Sequence, residues 1–207
     1  MTEAFKGADG RPLSDRGART RRRLLEAAEQ VFAELGYHDS SIVKITEAAG
    51  IGQGTFYLYF SSKKEIFDEL VLDLNQRVRH AMTEAAGRGE TRAEKEQLGF
   101  AAFFRFTAEH PALYRIVRQA EFVSPETLHV HYERLTSGYV AGLRQAMEAG
   151  EIEHGDPEVL AWALMGIGEL VGMRWILWAE REELPERVHD ELRRIIVRTL
   201  GARDAGP

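Results

Sequence analysis

Four side chains on a short segment, Gln53, Thr55, Tyr57 and Leu58, have types and spacing suited to contacts with base edges. By position they face outward from one short helix that follows the turn at 51–52. A glutamine amide can form two hydrogen bonds to adenine, and threonine or leucine can touch the methyl group of thymine. The segment is therefore suited to contacts in the major groove of DNA, although a plain solvent-exposed Gln53 gives the same pattern.

Candidate catalytic and metal-binding groups are sparse by comparison. The chain has no cysteine, which excludes disulfides, thiolate metal sites and cysteine nucleophiles. His129 and His131 are two residues apart, so on a helix they point to different sides and make a poor metal pair. Since neither a nucleophile elbow nor a phosphate-binding loop is present, we expect no enzymatic activity, no metal site and no cofactor.

Charge is distributed unevenly along the chain. The 207 residues carry 27 basic and 33 acidic side chains, a formal net charge of −6. Residues 16–64 nevertheless hold eight basic and five acidic residues. A basic front on an acidic body suggests a polyanionic partner, although an ordinary solvated helix start gives the same pattern. The overall acidity argues against indiscriminate coating of nucleic acid.

Apolar residues recur at helical spacing throughout, and no segment alternates as a strand does. We therefore predict an all-α fold, with an N-terminal three-helix head (16–64) after a flexible tail (1–15) and before a larger helical bundle (65–207). No stretch approaches about 18 uninterrupted apolar residues and no signal peptide is apparent, so a cytoplasmic protein without a membrane partner is expected. The predicted helices, about nine in number, cover roughly 24–35, 41–49, 53–60, 63–86, 92–109, 112–120, 125–149, 157–179 and 185–200.

Two of these helices are joined by a glycine-containing turn. Gly50 can adopt a left-handed conformation there, and Ile51 is an apolar plug between the helices, as in a helix-turn-helix. The run 45–60 (ITEAAGIGQGTFYLYF), the following SSKKEI (61–66) and the preceding residues 25–37 resemble TetR/AcrR-type transcriptional regulators. Two positions depart from that pattern: Gly52 stands where serine is frequent, and Thr46 where alanine is usual.

The resemblance implies that the third helix reads DNA and that Lys63, at the start of the fourth helix, contacts phosphate. Arg21, Arg22 and Arg23 are expected at the backbone or an adjacent minor groove. The recognition helix has no Arg or Lys, so affinity is expected from flanking phosphate contacts with a steep salt dependence. The predicted DNA-binding set is Ser40, Ser41, Lys44, Gln53, Gly54, Thr55, Tyr57, Leu58, Tyr59 and Lys63.

The resemblance also implies a ligand-responsive repressor that binds a palindromic operator as a homodimer. The last two helices are the candidate interface, because each carries a clear apolar stripe. A glycine inside a helix costs about 1 kcal/mol relative to alanine, and close approach of another backbone would explain Gly168. The predicted interface is Leu164, Gly168, Val171, Trp175, Val188, Leu192, Ile195, Ile196 and Thr199.

Aromatic residues are concentrated in the middle helices, where the resemblance implies an effector cavity. An apolar, aromatic-lined cavity suits a small lipophilic effector. Glu169 and Arg174 interrupt an apolar helix, and either pair with each other at a dimer interface or meet a ligand head group. The alternative function is a helical small-molecule-binding or scaffold protein without operator specificity. The predicted pocket is Phe103, Phe104, Tyr114, Arg118, Phe122, His131, Tyr132, Trp162, Met165 and Glu169.

Overall fold

The computed structural model of the chain describes residues 7–8 and 10–202. Within these residues the chain forms nine α-helices, which confirms the predicted all-α class and the helix number. A π-helical segment, Met173–Leu177, directly continues the eighth helix. The helices are α1 (Asp15–Asp39), α2 (Ile42–Ala48), α3 (Gln53–Phe56), α4 (Lys63–Ala86), α5 (Arg92–Glu109), α6 (Ala112–Val123), α7 (Pro125–Glu148), α8 (Pro157–Gly172) and α9 (Glu186–Leu200).

Packing divides the chain into two compact units. The first contains the residues up to Leu74 together with Ala112–His129, and the second contains Asn75–Pro111 and the residues from Val130 onward. The division falls inside α4 and inside α7, and α6 belongs to the first unit. The functional boundary at residue 64 stays a prediction. So does the flexibility of residues 1–15, of which 1–6 and 9 lie outside the described part of the chain.

The first unit is built around aromatic side chains from three helices and the segment after α3. Phe32 of α1, Phe56 of α3 and Phe67 of α4 are fully buried, as is Phe60 just before α4. The rings of Phe32 and Phe67 meet edge to face, with centroids 5.4 Å apart, a favourable geometry for aromatic pairs. Because α3 has only four residues, its position depends on this core rather than on its own hydrogen bonds.

The predicted end of the first helix at Gly36 is a break rather than a stop. Gly36 has φ 75° and ψ 172°, a conformation that a residue with a Cβ rarely adopts. One more helical turn, Tyr37–Asp39, follows the break, and the chain then enters α2 through Ser40 and Ser41. The direction of α2 is thus set by the short segment after Gly36.

The second unit has its own apolar core, formed by α5, α7, α8 and α9. Its members include Phe100, Leu143, Leu164 and Ile196, each less than a tenth exposed. Thr91 and Glu94 form a reciprocal capping box at the start of α5, an arrangement that satisfies backbone donors at the helix N-terminus. This core holds the helices that the sequence assigned to the dimer interface.

Five of the nine predicted interface residues face this core, so their assignment to a subunit contact is wrong. A residue buried inside its own subunit has no surface left for a partner, whereas an apolar stripe in a sequence does not distinguish the two. Of the others, Val171 and Trp175 are partly exposed, and Ile195 and Thr199 are exposed. The five core-facing residues are Leu164, Gly168, Val188, Leu192 and Ile196.

The opposite face of α8 is apolar and largely exposed. Leu170 is 62% exposed, Val159 65% and Trp162 45%, and Trp178 beyond the π-helical segment is 66% exposed. By length and composition alone, Pro157–Leu177 could cross a membrane, and 28% of its most apolar window is buried. Contrary to the sequence expectation, this span therefore satisfies a simple membrane criterion. A single such helix is weak evidence of insertion.

Two glycines of α8 test which face packs inside the subunit. A Cβ built on Gly168 would lie 2.9 Å from the Phe100 ring, whereas one on Gly166 meets nothing within 4 Å. We expect Gly168→Ala to lower the free energy of unfolding by about 1–3 kcal/mol through overpacking. Gly166→Ala should raise it by up to about 1 kcal/mol through helix propensity. Chemical denaturation measures both, and equal effects would contradict this packing.

Candidate nucleic-acid interface

The turn between α2 and α3 is closed by backbone hydrogen bonds. Gly50 has φ 61° and donates to the Glu47 carbonyl at 3.0 Å, and Ile51 donates to the Thr46 carbonyl at 2.9 Å. This pair of bonds is a Schellman motif, which needs a left-handed residue at the position of Gly50. The left-handed glycine expected from the sequence is confirmed.

A side chain from α1 completes this turn. The Arg23 guanidinium donates to the Ala49 carbonyl at 2.6 Å, so it satisfies a carbonyl at the C-terminus of α2. Arg21 is buried, forms a bidentate ion pair with Glu69 and lies over the Phe60 ring. The expectation that all three arginines reach DNA is therefore wrong for Arg21, whereas Arg22 and Arg23 are exposed and stay candidates.

The segment 53–60 presents the alternation of buried and exposed side chains that the sequence predicted. Phe56 and Phe60 are fully buried, while Tyr57 and Leu58 are 49% and 64% exposed. The helix is shorter than predicted, because α3 ends at Phe56 and the chain continues as turns through Tyr59. Gly52 caps α3 without a side-chain hydrogen bond, as expected where serine is missing.

Most polar residues of the predicted DNA-binding set are exposed or partly exposed, and several have their polar groups bonded within the unit. Gln53, Gly54 and Lys44 are exposed, and Ser41, Thr55 and Tyr59 are partly exposed. Lys44 donates to the Asp39 carbonyl at 2.9 Å, and the Ser41 hydroxyl caps α2 by accepting from the Lys44 amide. The exposed group lies on α2, α3 and the turns that flank them.

The side chains of Ser40 and Lys63 donate hydrogen bonds to backbone carbonyls of the same unit. Ser40 is 5% exposed, and its hydroxyl donates to the Tyr37 carbonyl at 2.6 Å, so its assignment to phosphate is wrong. The Lys63 ammonium donates to the Tyr37 and Ser40 carbonyls, at 2.6 and 2.9 Å, and lies over the Tyr37 ring. Burial lowers the pKa of Lys63, and the carboxylate of Asp39 opposes that shift to a smaller extent. A phosphate contact for Lys63 stays a prediction.

The predicted pocket residues are divided between the two units. Tyr114, Arg118 and Phe122 lie in the first unit, where Phe122 is 82% exposed and does not line a cavity. In the second unit the Tyr132 hydroxyl donates to Glu169 at 3.1 Å, and the Tyr132 and Trp162 rings lie 5.6 Å apart.

The remaining pocket residues, Phe103, Phe104, His131 and Met165, also lie in the second unit. Phe104 and His131 are buried, and Phe103 and Met165 are partly buried. Glu169 is thus bonded within its own subunit, to Tyr132, and Arg174 lies over the Trp175 ring.

Comparison with known proteins agrees with this helix-turn-helix geometry. The family model for bacterial regulatory proteins of the tetR family matches residues 24–70, which run from the middle of α1 to the first third of α4. The chain is 35% identical over 118 residues to the HTH-type transcriptional regulator YdgC of Bacillus subtilis. Residues 24–70 thus resemble the helix-turn-helix region of TetR-family regulators.

Two further similarities, to a fatty acid metabolism regulator and to a solved structure, extend over more of the chain. It is 29% identical over 168 residues to the fatty acid metabolism regulator protein of Bacillus subtilis, covering 78% of the chain and 86% of that protein. The match to YdgC covers 55% of the chain and 59% of that protein. The crystal structure of the transcriptional regulator FadR from Bacillus subtilis in complex with stearoyl-CoA is similar, with a TM-score of 0.73 and 24% identity. That match covers 88% of this chain and 99% of FadR, and it shows the fold.

A buried polar pair in the second unit was only half anticipated. Asn75 of α4 is fully buried and lies against His131 of α7. The Asn75 amide donates to the His131 carbonyl at 2.9 Å and lies 3.2 Å from Nδ1 of the ring. Accepting that bond assigns the proton of the neutral imidazole to Nε2. Burial, with a smaller contribution from the Arg79 charge, lowers the pKa of His131 to about 4.

Other interior polar groups were not predicted from the sequence. Glu96 is 4% exposed and bonds to Arg92 and Tyr139, and burial raises its pKa despite the neighbouring Arg92 charge. Asn75 had a detectable signal, because a lone amide follows the apolar positions Leu70 and Leu74. Glu96 had none, since a glutamate near a helix start is ordinarily solvated.

The pH dependence of stability tests the buried imidazole. Above pH 6.5 neither state is protonated at His131, and its contribution to stability is complete. Below that pH the unfolded chain binds a proton that the folded chain accepts only near pH 4. The free energy of unfolding should therefore fall by about 3 kcal/mol as the pH drops from 6.5 to 4.

Denaturation of wild type and His131→Gln across this range isolates the effect from other groups such as Glu96. The variant should lose most of the decline, and His129→Gln, at an exposed residue of the same helix, should keep it. A decline of the same size in both variants would show that His131 is not its source.

Proposed function

We propose that this protein is a DNA-binding transcriptional repressor whose α3 segment reads the operator. The observation that carries this is the exposed set Gln53, Tyr57 and Leu58, held on a helix-turn-helix whose Phe56 and Phe60 are buried. Side chains of these types can contact adenine and thymine in the major groove. The repressor role is what the resemblance to the family implies.

The phosphate-binding residues of this proposal are those left exposed. Lys44 and Arg22 are exposed in the same unit as α3, and Ser41 is partly exposed at the start of α2. Because α3 itself carries no positive charge, most of the affinity comes from contacts outside the bases. Binding is therefore expected to weaken steeply with salt.

We further propose a homodimer that places two α3 segments on a palindromic operator. Half-sites one helical turn apart, about 34–36 Å, match a two-fold pair of heads. Support comes from the exposed apolar face of α8, with Val159, Trp162 and Leu170, because contiguous exposed apolar surface on a soluble protein marks an interaction site. This face replaces the core-facing stripe chosen from the sequence. Because a second subunit would cover this face, we propose no membrane partner and a cytoplasmic location.

A small lipophilic effector, bound without covalent linkage, is proposed to control DNA binding. Support comes from the aromatic content of α5, α7 and α8, and from the similarity to a fatty acid metabolism regulator and to FadR in complex with stearoyl-CoA. A long-chain acyl-CoA is the probe of choice. An effector shifts operator affinity only through its different affinity for the two states. No enzymatic step is assigned to the protein.

Selection of duplexes from random DNA by the full chain tests the central proposal. A regulator should enrich a palindrome and bind it about 10³-fold or more tightly than unrelated DNA. A scaffold or small-molecule binder would enrich no sequence. Repeating the titration with stearoyl-CoA then tests the effector, because an unchanged affinity would remove the acyl-CoA assignment and leave the DNA-binding function intact.

Gln53→Ala should weaken binding to the selected palindrome by about 1–3 kcal/mol, because a paired base edge loses its partner. The dependence of affinity on salt should stay the same, since no charge is removed. Fluorescence anisotropy at several salt concentrations measures both quantities. Gln30→Ala, at an exposed glutamine of α1, is the control. Loss of affinity for all sequences alike would contradict a base contact by Gln53.

Leu170→Arg should convert the dimer to a monomer, because a charge would be buried without a partner at the proposed interface. The residue is exposed in the single chain, so the variant should keep its helical circular dichroism. Sedimentation velocity gives the mass, expected to fall to that of one 23.4 kDa chain. Ala101→Arg, at an exposed position of α5, should stay dimeric. A dimeric Leu170→Arg would rule out this face.

A further inference from the structure

The two peptide groups that flank Tyr37 are each held by a side chain from another helix. On one side, the Tyr37 amide donates to the Gln119 side-chain oxygen of α6. On the other, the Tyr37 carbonyl accepts from the Lys63 ammonium and from the Ser40 hydroxyl, both at 2.6 Å. All of these residues lie in the first unit.

The position of these peptide groups in the chain gives the contacts their importance. Tyr37 directly follows the break at Gly36, so its amide has left the hydrogen-bonding pattern of the preceding helix. A peptide amide without a partner is costly when it is shielded from water, and Gln119 supplies that partner. The five residues after Gly36 then lead directly into α2 at Ile42.

A second contact between the same two helices lies on the other side of the break. Arg115 of α6 donates to the Ala33 carbonyl at 3.0 Å, three residues before Gly36. Gln119 is fixed in turn by donating from its amide nitrogen to the Arg115 carbonyl at 2.8 Å. The contact between α6 and α1 thus includes one hydrogen bond before the break, from Arg115, and one directly after it, to Gln119.

We propose that Gln119 is a positioning residue for operator reading: through the Tyr37 peptide it sets the direction of the α2–α3 pair relative to α1. Lys63 is the counterpart on α4, since it holds the carbonyls of Tyr37 and Ser40. The inference rests on the proposed DNA-binding function and assigns control of it to a residue that touches no DNA.

Gln119→Met tests this assignment with a side chain of similar length and no oxygen acceptor. It should weaken binding to the palindrome selected by wild type about tenfold, the effect of leaving one amide unpaired. Binding to unrelated duplex should change by less than about twofold, because that binding depends on charge. Gln119→Glu keeps an acceptor oxygen and should restore most of the specific affinity.

Arg115→Ala is the matched control, because it removes a hydrogen bond between the same helices before the break. It should lower the thermal midpoint as much as Gln119→Met does, yet leave the ratio of specific to non-specific affinity within about twofold of wild type. Equal loss of that ratio in both variants would overturn the inference and leave DNA binding intact. Failure of wild type to select any duplex would overturn the proposed function and the inference with it.

Amide hydrogen exchange on wild type gives a reading that does not depend on any variant folding. The Tyr37 amide should be protected in the free protein, and its protection should rise when the selected palindrome is added. Rapid exchange at Tyr37 in both samples would mean that the bond to Gln119 does not hold the peptide, and would also overturn the inference.

Discussion

The position of α2 and α3 depends on four phenylalanine rings that are fully buried in the same unit. α2 and α3 together contain eleven helical residues, too few to be stable alone in water. Their position is fixed because Phe56 and Phe60 are fully buried in the same unit as Phe32 and Phe67. This packing therefore determines which way the side chains of 53–58 point. Gln53, Tyr57 and Leu58 are exposed because Phe56 and Phe60 are buried.

Several basic side chains of the first unit form ion pairs or hydrogen bonds within that unit. Arg21 pairs with Glu69 in the interior, Arg23 bonds the carbonyl that ends α2, and Lys63 bonds two carbonyls near the end of α1. Cations near helix C-termini are favourable because carbonyl dipoles accumulate there. The local excess of basic residues therefore overstates the charge that remains exposed to a polyanion.

Local signals in the sequence predicted the fold well. The left-handed glycine at 50 and the alternation of Phe56 and Phe60 with exposed neighbours depend on nearby residues, and both were predicted. Gly36 was predicted to end the first helix, whereas the helix breaks there and continues to Asp39. The third helix was predicted too long because turns after Phe56 carry the same spacing as a helix.

Long-range partners could not be predicted in this way. The amide of Gln119 meets Tyr37, 82 residues earlier, and nothing in either segment encodes that pairing. The five core-facing residues assigned to a subunit interface fail for a related reason. An apolar stripe predicts that a helix face is buried. It does not distinguish burial within one chain from burial against a second chain, which only the packed structure shows.

The two apolar faces of α8 have a consequence for how the protein is made. One face is covered as soon as a single chain folds, whereas the face with Leu170 and Trp162 is left bare until something else covers it. A newly synthesised chain is therefore prone to aggregation during that interval. Solubility on expression should consequently be governed by surface residues of α8 more than by any residue that reads DNA.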